Sequence, residues 1–109
     1  MENKFDELLQ ELNKYEIIQT TFDWEEIIPE ELWNEHFENN NHRVVAWISY
    51  EKHRHYETGI IVISIYGRYL GIRALSDIYS EMTAPEDCYH IVKFYEMESK
   101  TKKTFKIKE

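Results

Sequence analysis

Phe5, Leu8, Leu9, Leu12 and Tyr15 recur at three- and four-residue intervals. At about 100° per residue they fill a stripe about 120° wide, the mark of an amphipathic helix. Glu16 falls inside that stripe, so the helix is expected to end near Tyr15. Residues 19–28 lose the period and read as a loop or one short turn. Pro29 suits the first position of a second helix. In that helix Leu32, Trp33, His36 and Phe37 take one side. Glu30, Glu31, Glu35 and Glu38 lie within about 140° of one another on the other. Asn39, Asn40 and Asn41 end it.

From Arg43 the period becomes two. Val44, Ala46 and Ile48 alternate with Val45, Trp47 and Ser49, which predicts a strand. The polar stretch Glu51–Glu57 reads as a long hairpin or the wet end of two strands. Ile60–Tyr66 is β-branched and almost wholly apolar, the pattern of a central strand covered on both faces. A tight turn at Gly67-Arg68 and a short strand Tyr69–Arg73 follow. Ser76 has the hydroxyl of an N-cap, and Leu75, Ile78, Tyr79 and Met82 repeat at helical spacing, so a short helix is expected through Met82. After a loop at Thr83–Asp87, Cys88–Met97 alternates again. A polar turn at Ser99-Lys100 leads to a last strand, Thr104–Lys108, whose lysines guard an edge. The fold class is α+β: a mostly antiparallel sheet of four to five strands with two or three helices packed on one face.

At 109 residues the chain is a single domain, with an acidic helical part at 1–40 and a strand-rich part at 43–109. Charge separates these parts. Residues 1–40 carry twelve Asp/Glu against two Lys, a net of −10, whereas residues 41–109 carry nine Asp/Glu against eleven Lys/Arg, a net of +2. No Lys or Arg lies between Lys14 and Arg43. Asp23, Glu25, Glu26, Glu30, Glu31, Glu35 and Glu38 therefore have no cation near them in sequence. Ordinary surfaces mix the two signs. The segment reads either as a solvated face or as a carboxylate surface that imitates nucleic-acid phosphate and docks on a basic groove. Trp24, flanked by Asp23 and Glu25, is the best candidate for an exposed anchor in that surface, or else it staples the loop down. Trp33 and Trp47 are expected in the core.

A net charge of −8 disfavours direct contact with nucleic acid or an anionic membrane and favours a basic protein surface as partner. The one cysteine, Cys88, cannot form an internal disulfide, which fits a reducing, cytoplasmic setting. The first residues lack the basic-then-apolar order of a signal peptide. No apolar run approaches the roughly 20 residues that span a bilayer.

Candidate chemistry is sparse. With three glycines and no GxSxG, Walker or GxGxxG pattern, no phosphate-cradling loop or activated serine is expected. His53 and His55, with His42 as a third imidazole, have the i, i+2 spacing that puts two ligands on one strand face, as do Cys88 and His90. A mixed surface patch explains them as well, so no cofactor is expected. His55-Tyr56-Glu57 matches half of a zinc deaminase signature, but the Pro-Cys-x-x-Cys half is missing. Lys100, Lys102, Lys103, Lys106 and Lys108 suit an edge strand, or pack against the acidic segment.

Gly71-Ile72-Arg73, Ser80-Glu81-Met82, Glu86-Asp87-Cys88, Phe94-Tyr95-Glu96-Met97 and Lys103-Thr104-Phe105 together resemble a loose group of short proteins from phages and mobile elements of low-GC bacteria. The stretch spans about a third of the chain and excludes the acidic segment. Many small acidic proteins of that origin inhibit host defence enzymes such as CRISPR nucleases and restriction systems. The resemblance implies an inhibitor of that type, by analogy and not by matched active residues.

The expectation is thus a non-enzymatic, cytoplasmic binding protein of the anti-CRISPR or anti-restriction kind. It would seat Asp23, Trp24, Glu25, Glu26, Glu30, Glu31, Glu35 and Glu38 on the basic groove of a nuclease or other nucleic-acid-handling protein. The alternatives are a small metal-dependent enzyme or module using His53/His55 or Cys88/His90, and a homodimeric structural or regulatory protein.

Overall fold

A computed structural model describes residues 3–52, 56–77, 90–101 and 104–108. Helix α1 is Lys4–Lys14. Asn3 caps it, its Oδ1 accepting from the Phe5 amide at 2.9 Å, which satisfies a donor the helix leaves open. The predicted stripe faces inward at Phe5, Leu8 and Leu12, while Tyr15, just past the end, turns out to solvent. A single turn, α2 (Trp24–Ile27), follows the loop. Pro29 then precedes α3 (Glu30–Leu32), which widens at once into a π-helical turn over Trp33–Phe37. The Glu38 amide donates to the Trp33 carbonyl at 2.9 Å, five residues back.

Five antiparallel strands form one sheet in sequence order: β1 (His42–Lys52), β2 (Tyr56–Ile65), β3 (Arg68–Asp77), β4 (Lys93–Thr101) and β5 (Thr104–Ile107). Pairing irregularities at Val44/Ala46 and Ser49/Glu51 interrupt β1, and β1 reaches β5, so the sheet curls. Strand alternation divides the core. Ile63, Ile65, Leu70, Ile72, Ala74 and Phe94 face the helices and meet Phe5, Leu8, Leu12, Leu32 and Phe37. Ile60, Val62 and Met97 face the inside of the curl, against Ala46, Ile48, Tyr69, Tyr95 and Phe105. Strand β2 is thus covered on both faces, as its run of β-branched residues predicts.

Three local expectations are overturned. Ser76 does not cap a helix: Leu75 and Ser76 lie in β3, paired with Thr58 and Glu57. Ladder bonds to β2 hold the backbone extended where the local signal favoured a cap; residues 78–89, including Met82 and Cys88, lie outside the described residues. Ser99-Lys100 is not a turn, because β4 continues through it to Thr101 opposite β5. The β2–β3 turn is Tyr66-Gly67, one residue earlier than expected. Both residues have positive φ, 56° and 74°, the two-residue turn whose twist matches a hairpin.

The loop before α2 is fixed by a buried side chain. Gln19 is 2% exposed, and its amide imitates a strand. Its Nε2 donates to the Leu75 carbonyl at 3.0 Å, and its Oε1 accepts from the Leu75 amide at 2.8 Å. The backbone at Ile17 and Gln19 pairs with Val92 and His90 at 2.8 and 2.9 Å. Residues 17–19 therefore behave as an extra rung of the sheet, and that rung sets where the acidic segment begins. Among the described residues no helix is long and apolar enough to cross a membrane.

Candidate functional site

Asp23 opens the acidic segment by capping α2: its Oδ1 accepts from the Glu25 amide at 3.0 Å. Its own amide donates to Thr21 Oγ1 at 3.1 Å. The segment then crosses an aromatic layer. Trp33 stacks parallel on Phe37, with centroids 5.2 Å apart and planes 7° apart. Trp24 leans on both at 5.8 and 5.9 Å. His42 presents its edge to all three rings. Trp24 is half-buried in this layer rather than standing free, so it acts first as the staple of the loop.

The aromatic layer forces the carboxylates outward. Asp23, Glu25, Glu26, Glu30, Glu31, Glu35 and Glu38 are all exposed. Among the described residues none of them pairs with Lys or Arg; Glu35 Oε2 lies 3.9 Å from the His36 ring at Nε2. Among the described residues, the Lys and Arg that pair with carboxylates do so elsewhere: Lys4 with Glu7, Arg68 with Asp6 and Glu96, Lys106 with Glu98, and Lys108 with Glu96. The lysine tail, as far as it is described, thus serves β4 and not the acidic segment.

The turn between α2 and α3 splits the predicted face in two. Asp23, Glu25, Glu26 and Glu30 rim a cleft of about 610 Å³ whose apolar wall is Ile27, Ile28, Pro29 and Trp33. Glu31 and Glu35 open on a second cleft of about 290 Å³, between α1 and α3, with Glu11, Lys14, Tyr15 and Leu32. Glu38 lines neither. An acidic rim over an apolar wall suits a long cationic side chain, which lays its stem on the wall and its head among the carboxylates.

At the back of the second cleft lies a polar cluster that charge patterning did not reveal. His36, 1% exposed, is held between Tyr66 Oη, 2.8 Å from Nδ1, and Glu11 Oε2, 3.3 Å from Nε2. Asn40 Nδ2 donates to Tyr66 Oη at 3.1 Å and to the His36 carbonyl at 2.8 Å. Burial, with added repulsion from Glu35 and Glu7 and partial opposition from Lys4, raises the Tyr66 hydroxyl above its ordinary pKa. Tyr66 is therefore a neutral phenol at physiological pH. In sequence His36 stands in the apolar half of its helix, and the only hint of its role is that a polar residue occupies a core position.

His53, His55 and Cys88 lie outside the described residues. His90 is described, and its Nε2 lies 3.2 Å from the Arg73 carbonyl. Trp47 is half-buried and donates from Nε1 to Glu57 Oε1 at 2.7 Å. In comparisons with known proteins, no family model, no curated protein and no solved structure matches the chain.

Proposed function

We propose that this protein is a small acidic binding protein whose α2–α3 cap seats on the basic surface of a nucleic-acid-handling partner. In that position it competes with DNA or RNA. The observation that carries the reading is the row of seven exposed carboxylates from Asp23 to Glu38, unpaired with Lys or Arg among the described residues. Unpaired like charges repel one another on a rigid surface, and that repulsion is released when a cationic partner arrives. The 610 Å³ cleft adds shape: its rim binds guanidinium or ammonium, and Trp33 and Pro29 receive the aliphatic stem. The resemblance of the C-terminal half to short phage and mobile-element proteins supports the narrower form, a cytoplasmic inhibitor of a host defence nuclease.

The test is capture of partners from host lysate on the immobilised protein at low and high salt, followed by competition with duplex DNA. The expected result is a nucleic-acid-handling protein that is released by DNA and weakened at least ~10-fold between 50 and 500 mM salt, the behaviour of a contact made through several charges. The triple variant Glu26→Lys, Glu30→Lys and Glu31→Lys, folded by circular dichroism, should lose that partner. Undiminished binding by the folded triple variant refutes the reading.

A further inference from the structure

We infer that Glu11, Glu35 and His36 form a binding site for a first-row divalent cation of the zinc class, a role that shares only Glu35 with the docking face of the cap. The three side chains come from two elements, α1 and the π-helical turn, and each offers one ligand atom within 4.8 Å of the others. His36 Nε2 lies 3.3 Å from Glu11 Oε2 and 3.9 Å from Glu35 Oε2. Two ligands on one tetrahedral zinc, each about 2.1 Å from the metal, stand about 3.4 Å apart. The Glu11 pair already has that spacing. The Glu35 carboxylate, on an exposed side chain, needs to close by about half an ångström on His36 and by up to about 1.4 Å on Glu11.

The imidazole is presented in the way a ligand is. Its Nδ1 contact to Tyr66 is short, 2.8 Å, whereas its Nε2 contact to Glu11, at 3.3 Å, is longer than an ordinary N–H···O bond of about 2.9 Å. The ring is thus anchored through one nitrogen while the other faces two carboxylates at loose distance. Metal-bound histidines have this outer partner on the second nitrogen, which fixes both tautomer and orientation. With a cation on Nε2, Nδ1 carries the proton and the Tyr66 oxygen accepts it.

The backbone accommodates this arrangement at two unusual places. Tyr66 occupies a left-handed turn position, φ 56°, where Asn, Asp or Gly ordinarily stands, and from there its hydroxyl reaches His36. Glu35 and His36 sit within a π-helical turn, a feature that recurs at functional sites.

The cleft in front of the cluster, about 290 Å³, has room for several waters as further ligands. Glu31 adds a third carboxylate to its walls and Lys14 the single cation, so the field favours a positive ion. One nitrogen and two oxygens without a thiolate suit Zn²⁺, Co²⁺ or Mn²⁺ better than Ca²⁺ or Mg²⁺, which favour oxygen alone.

The test uses the full chain, stripped with chelator and titrated with Co²⁺ followed by visible absorption, then with Zn²⁺ in competition. One equivalent should bind and develop ligand-field bands. Glu11→Gln with Glu35→Gln alters two partly exposed side chains, so the fold should survive, and affinity should fall at least ~10-fold; Tyr66→Phe should weaken binding about 10-fold through the ring's orientation. A chain carrying His53→Gln, His55→Gln and Cys88→Ser should bind as the wild type does. The inference is overturned by absence of binding at millimolar cation, by wild-type affinity in the folded Glu11/Glu35 variant, or by loss of binding in the His53/His55/Cys88 variant.

Discussion

In the sheet half, Glu96 accepts from Arg68 Nε and Nη2 at 2.7 and 2.6 Å, Lys108 adds a contact at 3.5 Å, and the guanidinium also reaches Asp6 at 3.1 Å while lying over the Phe5 ring. In the cap, seven carboxylates stand within sixteen residues of chain, and among the described residues no Lys or Arg answers them. Both regions carry dense charge. Only the first uses it to join elements, here α1 to β3 and β4. In the second, the joining is done by Trp24, Trp33, Phe37 and His42 beneath the acid. The comparison separates charge that holds the fold from charge that the fold displays.

The largest effect should come from breaking the first kind. Glu96 is 16% exposed at its side chain and Arg68 26%, so the pair is shielded enough for its two charge-assisted bonds to matter. Glu96→Gln should cost about 2–3 kcal/mol in urea denaturation, because half-buried Arg68 keeps only the more exposed carboxylate of Asp6. A loss under ~0.5 kcal/mol would place this pair with ordinary surface contacts and erase the comparison.

Next in size is a pH effect of the same pair. The hydrogen bond from Arg68, aided by Lys108, holds the Glu96 carboxyl below its ordinary value despite burial, which acts the other way. A carboxyl lowered in the folded state adds stability above its unfolded pKa, about 4.3, and loses it as pH falls through the folded value. Stability should therefore drop below about pH 4, and the drop should be shallower in Glu96→Gln. Arg68, raised further above its already high value, stays charged throughout and contributes no slope of its own. Parallel acid-denaturation curves for the two proteins would contradict this assignment.

Much of the sheet was legible because period-two alternation survives tertiary packing. The β-branched run in β2 announced a strand covered on both faces, and the stripe from Phe5 to Leu12 announced α1. Errors arose where a local cue met a longer-range partner. Ser76 has a cap-forming hydroxyl, yet backbone pairing with Glu57 holds it in β3. Ser99 and Lys100 have turn composition, yet β4 carries on beside β5. Tyr66 carries no turn signal because residues without glycine's freedom seldom take positive φ, and its hydroxyl contact to His36 accounts for its place there. The acid of the cap could be read directly from spacing. Its division into two clefts could not, because that depends on the turn at Ile28-Pro29. The cluster of Glu11, Glu35, His36 and Tyr66 was invisible for the same reason: its members are brought together from α1, the π-helical turn and a hairpin.

The smallest effect should come from the displayed charge itself. Glu30 and Glu31 lie in the first turn of α3, where the helix dipole favours a negative side chain by about 0.3–1 kcal/mol each at low salt. Against that, each repels the other carboxylates of the cap; at ~10 Å in water one such pair costs about 0.4 kcal/mol. The terms oppose, and two such pairs already match the dipole gain of one residue, so Glu30→Gln with Glu31→Gln should change stability by less than ~1 kcal/mol at low ionic strength. Salt separates them, since screening at ~0.5 M suppresses repulsion across the cap more than contact between a carboxylate and the helix end beside it. The wild type should gain more thermal stability from added NaCl than the double variant does. Equal gains would mean that the cap carries no stored repulsion, and that its carboxylates are neutralised as fully as those of the sheet.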